Sequence, residues 1–329
     1  MNLENAVWTR KYQPKTLDDV IGNEEQVNRL KQWIDDDSMP HLMLHGKAGI
    51  GKSAAIEAFA RDKYGDDFRS NLLEFNASDD RGIDVIRNQV KSAAKQSASG
   101  KYSYKILLLE EADSLTKDAQ AALRRIMEKH SDQTRFVLTM NWPSKVIDPI
   151  KSRTTPLPFR RLDNSEIKEL SKNVLEQEDV DYEESVVDSI AEHVNGDARK
   201  AIHTLQTSVQ NGKLTEDIIQ VVGGQVEDEV VEEMISDALN GEMENAHELV
   251  VTEVLPNVTD YSRFVGTLMS KIQDSDELPR DVKFYSLSQL GDLERNIMEG
   301  ANPHVQINSY LARLPVVRYS SIPAYEGQE

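Results

Sequence analysis

The chain has 329 residues, enough for two or three domains and a sizeable core. It contains no Cys, which excludes disulfides and thiolate metal sites, and no run of about 18 apolar residues, which excludes a membrane-spanning helix. The net charge of −19 is unevenly spread: residues 1–160 carry 25 Lys+Arg against 23 Asp+Glu, and residues 161–329 carry 13 against 34. The acidity belongs to the C-terminal half and reads as solubility, of a kind that suits a saline cytoplasm. The N-terminal half is near neutral and can hold a local basic surface.

The opening Met1–Asn5 lacks the basic and apolar regions of a signal peptide, so the expectation is a soluble intracellular protein. His41–His45 reads as a short buried strand. Gly46-Lys47-Ala48-Gly49-Ile50-Gly51-Lys52-Ser53 follows it, and Ala54–Ala60 has the composition of a helix. Strand, glycine loop and helix are the context a phosphate-binding loop requires. Backbone N–H groups and the positive helix end face the phosphates. Lys52 reaches the β/γ-phosphates of ATP, and the Ser53 hydroxyl ligates Mg²⁺.

Further short apolar runs at Leu72–Asn76, Lys105–Leu109, Arg135–Met140 and Thr155–Phe159 alternate with helical patterns. This alternation predicts an α/β fold with a parallel sheet and crossover helices. Residues 163–225 read as helices only, opened by the cap signal Asp163-Asn164-Ser165-Glu166. From about residue 227 the pattern is again helical, with turns near Asn240-Gly241, Leu255-Pro256 and Gly300–Pro303. Three domains are expected: 1–162 for nucleotide binding, 163–226 as a small helical lid, and 227–329 as a larger helical domain.

Lys105–Leu109 runs into Glu110-Glu111-Ala112-Asp113. An apolar strand ending in carboxylates puts acids at the sheet's C-terminal edge, where ligands bind in open α/β sheets. Glu110 can hold Mg²⁺. Glu111 can orient and deprotonate the attacking water. Asn141, ending the next strand, is either a turn residue or a hydrogen-bond donor to the γ-phosphate or the water. Arg153 is either a solvated charge or, in a ring of ATPases, an arginine finger completing a neighbour's site. Arg199, just after a helix start, is either a surface charge or a γ-phosphate sensor. Ile83, Ile86 and Val90 recur at helical spacing, with Arg87, Lys91 and Lys95 on another face. That stripe is either a solvated face or a track for a phosphate backbone, and without interleaved aromatics it would not read bases.

Together these residues resemble the small subunit of replication factor C, the archaeal and eukaryotic sliding-clamp loader of the AAA+ class. Trp8-Thr9-Arg10-Lys11-Tyr12-Gln13-Pro14 is similar to the family's N-terminal box. Asn76–Asp84 and Ala119–Glu128 are similar to two more family segments. Asn141, Ser152-Arg153 and Gly196-Asp197-Ala198-Arg199 fall where the family has sensor 1, its finger motif and sensor 2. The resemblance implies an AAA+ nucleotide-binding domain, a helical lid, and a helical collar that assembles the chain with the large subunit and other small subunits. The implied assembly is a pentameric hetero-oligomer that uses ATP and Mg²⁺ to open a sliding clamp on primer–template DNA. It places Tyr12 and Pro14 near the adenine, Arg87 and Lys91 on the DNA-facing surface, and Arg153 in the adjacent subunit's site. It favours an archaeal cytoplasm, or a nucleus if the source is eukaryotic.

Three positions depart from the family pattern. Glu110 stands where the family has Asp, Gln13 where it has Arg, and Thr154 where it has Cys. The extra methylene at Glu110 moves the carboxylate out by about 1.5 Å, and Mg²⁺ is strict about its octahedral geometry. The alternative function is therefore a subunit that binds ATP, hydrolyses it weakly or not at all, and serves its neighbours. A third reading is a DNA-remodelling motor such as a branch-migration helicase. Asn76–Asp84 and the long C-terminal helical region argue against it.

Overall fold

A computed structural model describes residues 7–78, 86–210, 212–214, 226, 228–258, 261–275 and 278–315. The expected Asp79–Asp84 segment and Gly223-Gly224 lie outside these residues. The chain forms two compact units, Met1–Thr215 and Glu216–Glu329.

The first unit is built on a parallel sheet of β1 (Leu42–His45), β2 (Leu72–Asn76), β3 (Lys105–Glu110), β4 (Thr134–Met140) and β5 (Thr155–Pro158). The strand order is β2-β3-β4-β1-β5, parallel throughout. Side chains alternate between two apolar layers, as the two-residue strand period requires. Leu42, Leu44, Ile106, Leu108 and Val137 pack on one face with Leu30 of α2 (Glu24–Asp35) and Ile56 and Phe59 of α3 (Lys52–Tyr64). Met43, Leu107, Leu109, Phe136 and Leu138 pack on the other with Leu123 and Met127 of α6 (Lys117–Lys129). A sheet covered on both faces explains why β3 reads as an unbroken apolar run.

β5 is an edge strand that carries two prolines. Thr155 and Phe159 donate their N–H groups to the carbonyls of His41, just before β1, and His45, at its end, each at 2.8 Å. Pro156 and Pro158 alternate with these donors, so their missing N–H groups fall on the open edge, the place where a sheet tolerates proline. The edge is thereby closed to further pairing.

Other elements of this unit are α1 (Trp8–Lys11), α4 (Phe68–Asn71), α5 (Lys91–Lys95), α7 (Asp148–Lys151), α8 (Asn164–Gln177), α9 (Glu184–Val194) and α10 (Ala198–Ser208). The cap signal at the start of α8 is realised as a capping box between Asp163 and Glu166. The expectation of helices only over 163–225 needs correction. Asp181–Tyr182, Val209–Gln210 and Lys213–Leu214 form a small three-stranded sheet. Two-residue strands carry no periodicity, but Asn-Gly between two short runs is a hairpin signal that could have been used. The stretch before α5 also departs from a regular helix, being π-helical over Ile86–Val90. Ile86 and Val90 are buried, and Arg87, Lys91 and Lys95 are exposed.

The second unit is helical among its described residues: α11 (Asp228–Asn240), α12 (Met243–Leu249), α13 (Tyr261–Asp274), α14 (Arg280–Met298) and α15 (Pro303–Leu311). Val231, Met234, Ile235 and Ala238 show the three- and four-residue spacing of a buried helix face. They join Leu268, Ile307 and Leu311 in one core. Among the described residues no helix is long and apolar enough to cross a membrane.

Candidate functional site

The strand order fixes the site. β1 sits between β4 and β5, while the next strand in sequence, β2, lies at the far edge. The chain therefore reverses direction at β1, and the crevice at the strand ends there is the expected ligand position. The glycine loop leaves β1 into this crevice. Gly46 N–H donates to Met140 O at 3.2 Å, which ties the loop to the end of β4. Asn141 follows directly, and Glu110 ends β3, one strand further on.

Lys52 opens α3 and is 9% exposed. Its ammonium donates to Gly46 O at 2.7 Å, to Lys47 O at 2.6 Å and to Asn141 Oδ1 at 3.3 Å. Burial pushes its pKa down to about 8; the carboxylates of Asp113, Asp197 and Glu110 oppose that shift and Arg199 adds to it. Ser53 Oγ donates to Glu110 Oε1. Glu110 thus reaches the P-loop hydroxyl in spite of its extra methylene. Glu111 is exposed and sits in the left-handed region at φ 52° and ψ 41°. A non-glycine residue there costs about 1–2 kcal/mol, and such strain gathers at functional sites. Asp113 accepts from Trp142 N–H at 3.1 Å, fixing the residue after Asn141.

The opposite wall comes from the helical bundle. Asp197 caps α10 by accepting from Lys200 N–H at 2.8 Å, and Arg199 N–H donates to Gly49 O at 3.3 Å. Gly49 has φ +76°, and a Cβ there would lie 2.0 Å from Asp197 Oδ1. Only glycine lets the loop and the bundle approach this closely. The third wall is the N-terminal segment. Trp8 N–H donates to Gln206 Oε1 at 3.0 Å, and Lys11 pairs with Glu178 at 2.7 Å. Tyr12 packs edge-on against Trp8. The walls enclose a cleft of about 410 Å³, in the range for a small-molecule site.

The structure brings Tyr12, Pro14, Ala48, Gly49, Ile50, Gly51, Lys52, Ser53, Glu110, Glu111, Asn141 and Arg199 to this one cleft. Gly46 and Lys47 adjoin it through their carbonyls on Lys52. Arg153, Arg87 and Lys91 lie outside it. Glu57, Glu74 and Asn76 line it without having been expected to. Burial raises the Glu57 and Glu74 carboxyls, and Glu110 adds to both shifts. Glu57 was within reach of sequence reasoning, because it falls one helical turn after Ser53. Glu74 and Asn76 were not, because only the pairing of β2 with β3 brings them to Glu110.

A P-loop at the switch point of a parallel sheet, acids and an Asn on the adjacent strand ends, and a helical bundle against the loop define a P-loop ATPase of the AAA+ class. Residues 42–159 match the family "ATPase family associated with various cellular activities (AAA)", and residues 226–313 match the "Replication factor C C-terminal domain". The chain is 40% identical over 319 residues to the replication factor C small subunit of Sulfurisphaera tokodaii, covering 96% of this chain and 97% of that one. It is 38% identical over 312 residues to that of Natronomonas pharaonis, covering 94% of each. The Thermotoga maritima RuvB Holliday junction branch migration motor shares the fold, with TM-score 0.55 and 18% identity over 75% of this chain and 88% of that one. The chain belongs to the replication factor C small-subunit family, and its role is that of a clamp-loader subunit in replication.

Proposed function

We propose that the cleft binds ATP with Mg²⁺, and that turnover needs a second subunit. The observation that carries this reading is the split of the machinery. Lys52, Ser53, Glu110, Glu111 and Asn141 lie in one cleft, while Arg153 lies outside it. Lys52 and the loop N–H groups take the phosphates. Tyr12 and Pro14 stand on the base side, beside the bundle. The Ser53 hydroxyl and the Glu110 carboxylate are in contact, so together they would offer Mg²⁺ two of the oxygen ligands it prefers. When bound, the ion would neutralise phosphate charge. Glu111 takes the proton of the attacking water, and Asn141 holds the γ-phosphate side. Arg153 of an adjacent copy or paralogue supplies the remaining positive charge. The chain alone is then a slow ATPase.

The same reading places this chain in a complex that acts on a sliding clamp and primed DNA. Arg87 and Lys91, both exposed, would track the DNA phosphates without reading sequence.

The test is ATP turnover of the reconstituted complex with clamp and primed DNA, comparing the wild type with Glu111→Gln. Loss of a general base typically costs 10²–10⁴-fold, so a large drop in DNA-stimulated turnover is expected. An unchanged rate would mean that this chain's own site is silent and that it only binds ATP and serves its neighbours.

A further inference from the structure

Arg153 is held folded back on its own subunit. One terminal nitrogen donates to Pro149 O at 2.7 Å and to Ser152 Oγ at 3.1 Å. The other meets Glu128 Oε1 at 2.6 Å. Reaching a carbonyl only four residues back requires a curled side chain, not an extended one. Glu128 stands in the last turn of α6, the helix that follows Glu111 and Asp113. The same carboxylate oxygen lies 3.9 Å from Arg124 Nε, one turn earlier. The Arg153 and Glu128 side chains are 38% and 40% exposed, so the pair is open to an incoming subunit.

We propose that Glu128 is a positioning residue that stows Arg153 until a neighbouring subunit presents its nucleotide. The proposal rests on the reading of Arg153 as a finger acting in trans. A carboxylate in contact with a guanidinium cancels most of its charge, so a stowed Arg153 cannot stabilise a phosphoryl transition state. The exchange from carboxylate to phosphate is chemically close, because a planar guanidinium pairs with either through the same fork of donors. A polyphosphate carries more negative charge than one carboxylate and wins once it is within reach. The hold is also weak enough to break, since a solvent-exposed ion pair contributes little. Glu128 touches no nucleotide of its own chain; it lowers the neighbour's idle turnover and leaves the fully engaged rate unaltered.

The experiment measures ATP turnover of the reconstituted complex without clamp or DNA. Glu128→Gln should raise this basal rate by roughly two- to fivefold, the scale set by an exposed pair. The gain should appear in kcat, with the KM for ATP unchanged. Glu128→Asp keeps the carboxylate and should stay near the wild-type rate. Glu128→Gln combined with Arg153→Ala should run no faster than Arg153→Ala alone, which assigns the gain to Arg153 and not to Arg124. Thermal melting of each complex checks that the fold is intact. A basal rate unchanged or lowered by Glu128→Gln, with Arg153→Ala inactive, overturns the stowing role and leaves the trans finger standing. Wild-type turnover in Arg153→Ala removes the trans finger, and the proposal with it.

Discussion

Lys52 is almost wholly buried, and burial works against its charge. In the free chain its pKa is pushed down to about 8, with three carboxylates limiting the fall. ATP phosphates favour the charged form, so binding draws the pKa back up. Above pH ~8 the free site is increasingly neutral, and binding must then take up a proton. Affinity for ATP should fall as pH rises through that value, approaching tenfold per pH unit at the alkaline limit. Calorimetric titration at about pH 7 and about pH 9, in buffers of different ionisation heat, measures both the affinity and the proton uptake. Lys52→Arg should flatten the dependence, since a guanidinium does not titrate here. An affinity that is flat with pH in the wild type would refute the assignment.

The contact between the loop and α10 joins two elements through one position. Gly49→Ala puts a methyl group where Asp197 Oδ1 lies 2.0 Å away, on a backbone at φ +76°. Two costs follow: the left-handed conformation, and displacement of the carboxylate that caps α10, each about 1–2 kcal/mol. The expected result is nucleotide binding weakened roughly tenfold or more, together with a lower melting temperature. Asp197→Ala removes the cap without the clash and should affect melting more than binding. Wild-type affinity in Gly49→Ala would show that the loop does not depend on this contact.

Much at this level was legible in advance. All five strands of the parallel sheet stand where short apolar runs stood: β3 and β4, covered on both faces, are buried almost throughout, and the edge strands β2 and β5 keep enough apolar residues to show. The Lys52 and Ser53 positions follow from the loop pattern alone. What could not be read was set by partners distant in sequence. Glu74 reaches Glu110 only through the register Asn76↔Glu110, and Glu128 meets Arg153 only after α6 and α7 have packed. Of the expected exposed basic residues, Arg87 sits on the π-helical turn Ile86–Val90, and only Lys91 and Lys95 stand on a regular helix.

If the machinery is divided between chains as proposed, the kinetics should show it. Arg153→Ala should abolish stimulated hydrolysis in the complex, by about 10³-fold or more, while this chain still binds ATP. Single-turnover hydrolysis paired with equilibrium nucleotide binding separates the two. Lost binding by the same chain would refute action in trans. The charge distribution fits this division of labour. The ATPase half is close to neutral, with Arg87, Lys91 and Lys95 exposed on one stretch, and the strongly acidic half has little to offer a nucleic acid.

The first helix is fastened to the far side of the cleft from the glycine loop. Trp8 is bonded to Gln206 near the end of α10, and Lys11 to Glu178 just past α8. The wall that carries Tyr12 is therefore tied to the helical bundle at one end, while Leu17, buried in the core beneath the sheet and donating its N–H to Asp62 of α3, ties it to the sheet at the other. ATP bound as proposed would be bracketed between the sheet and the bundle. It would leave when the bundle swings away from the sheet. Its dwell time would then follow that opening, and whatever clamps the bundle shut would also set how long the fuel stays loaded.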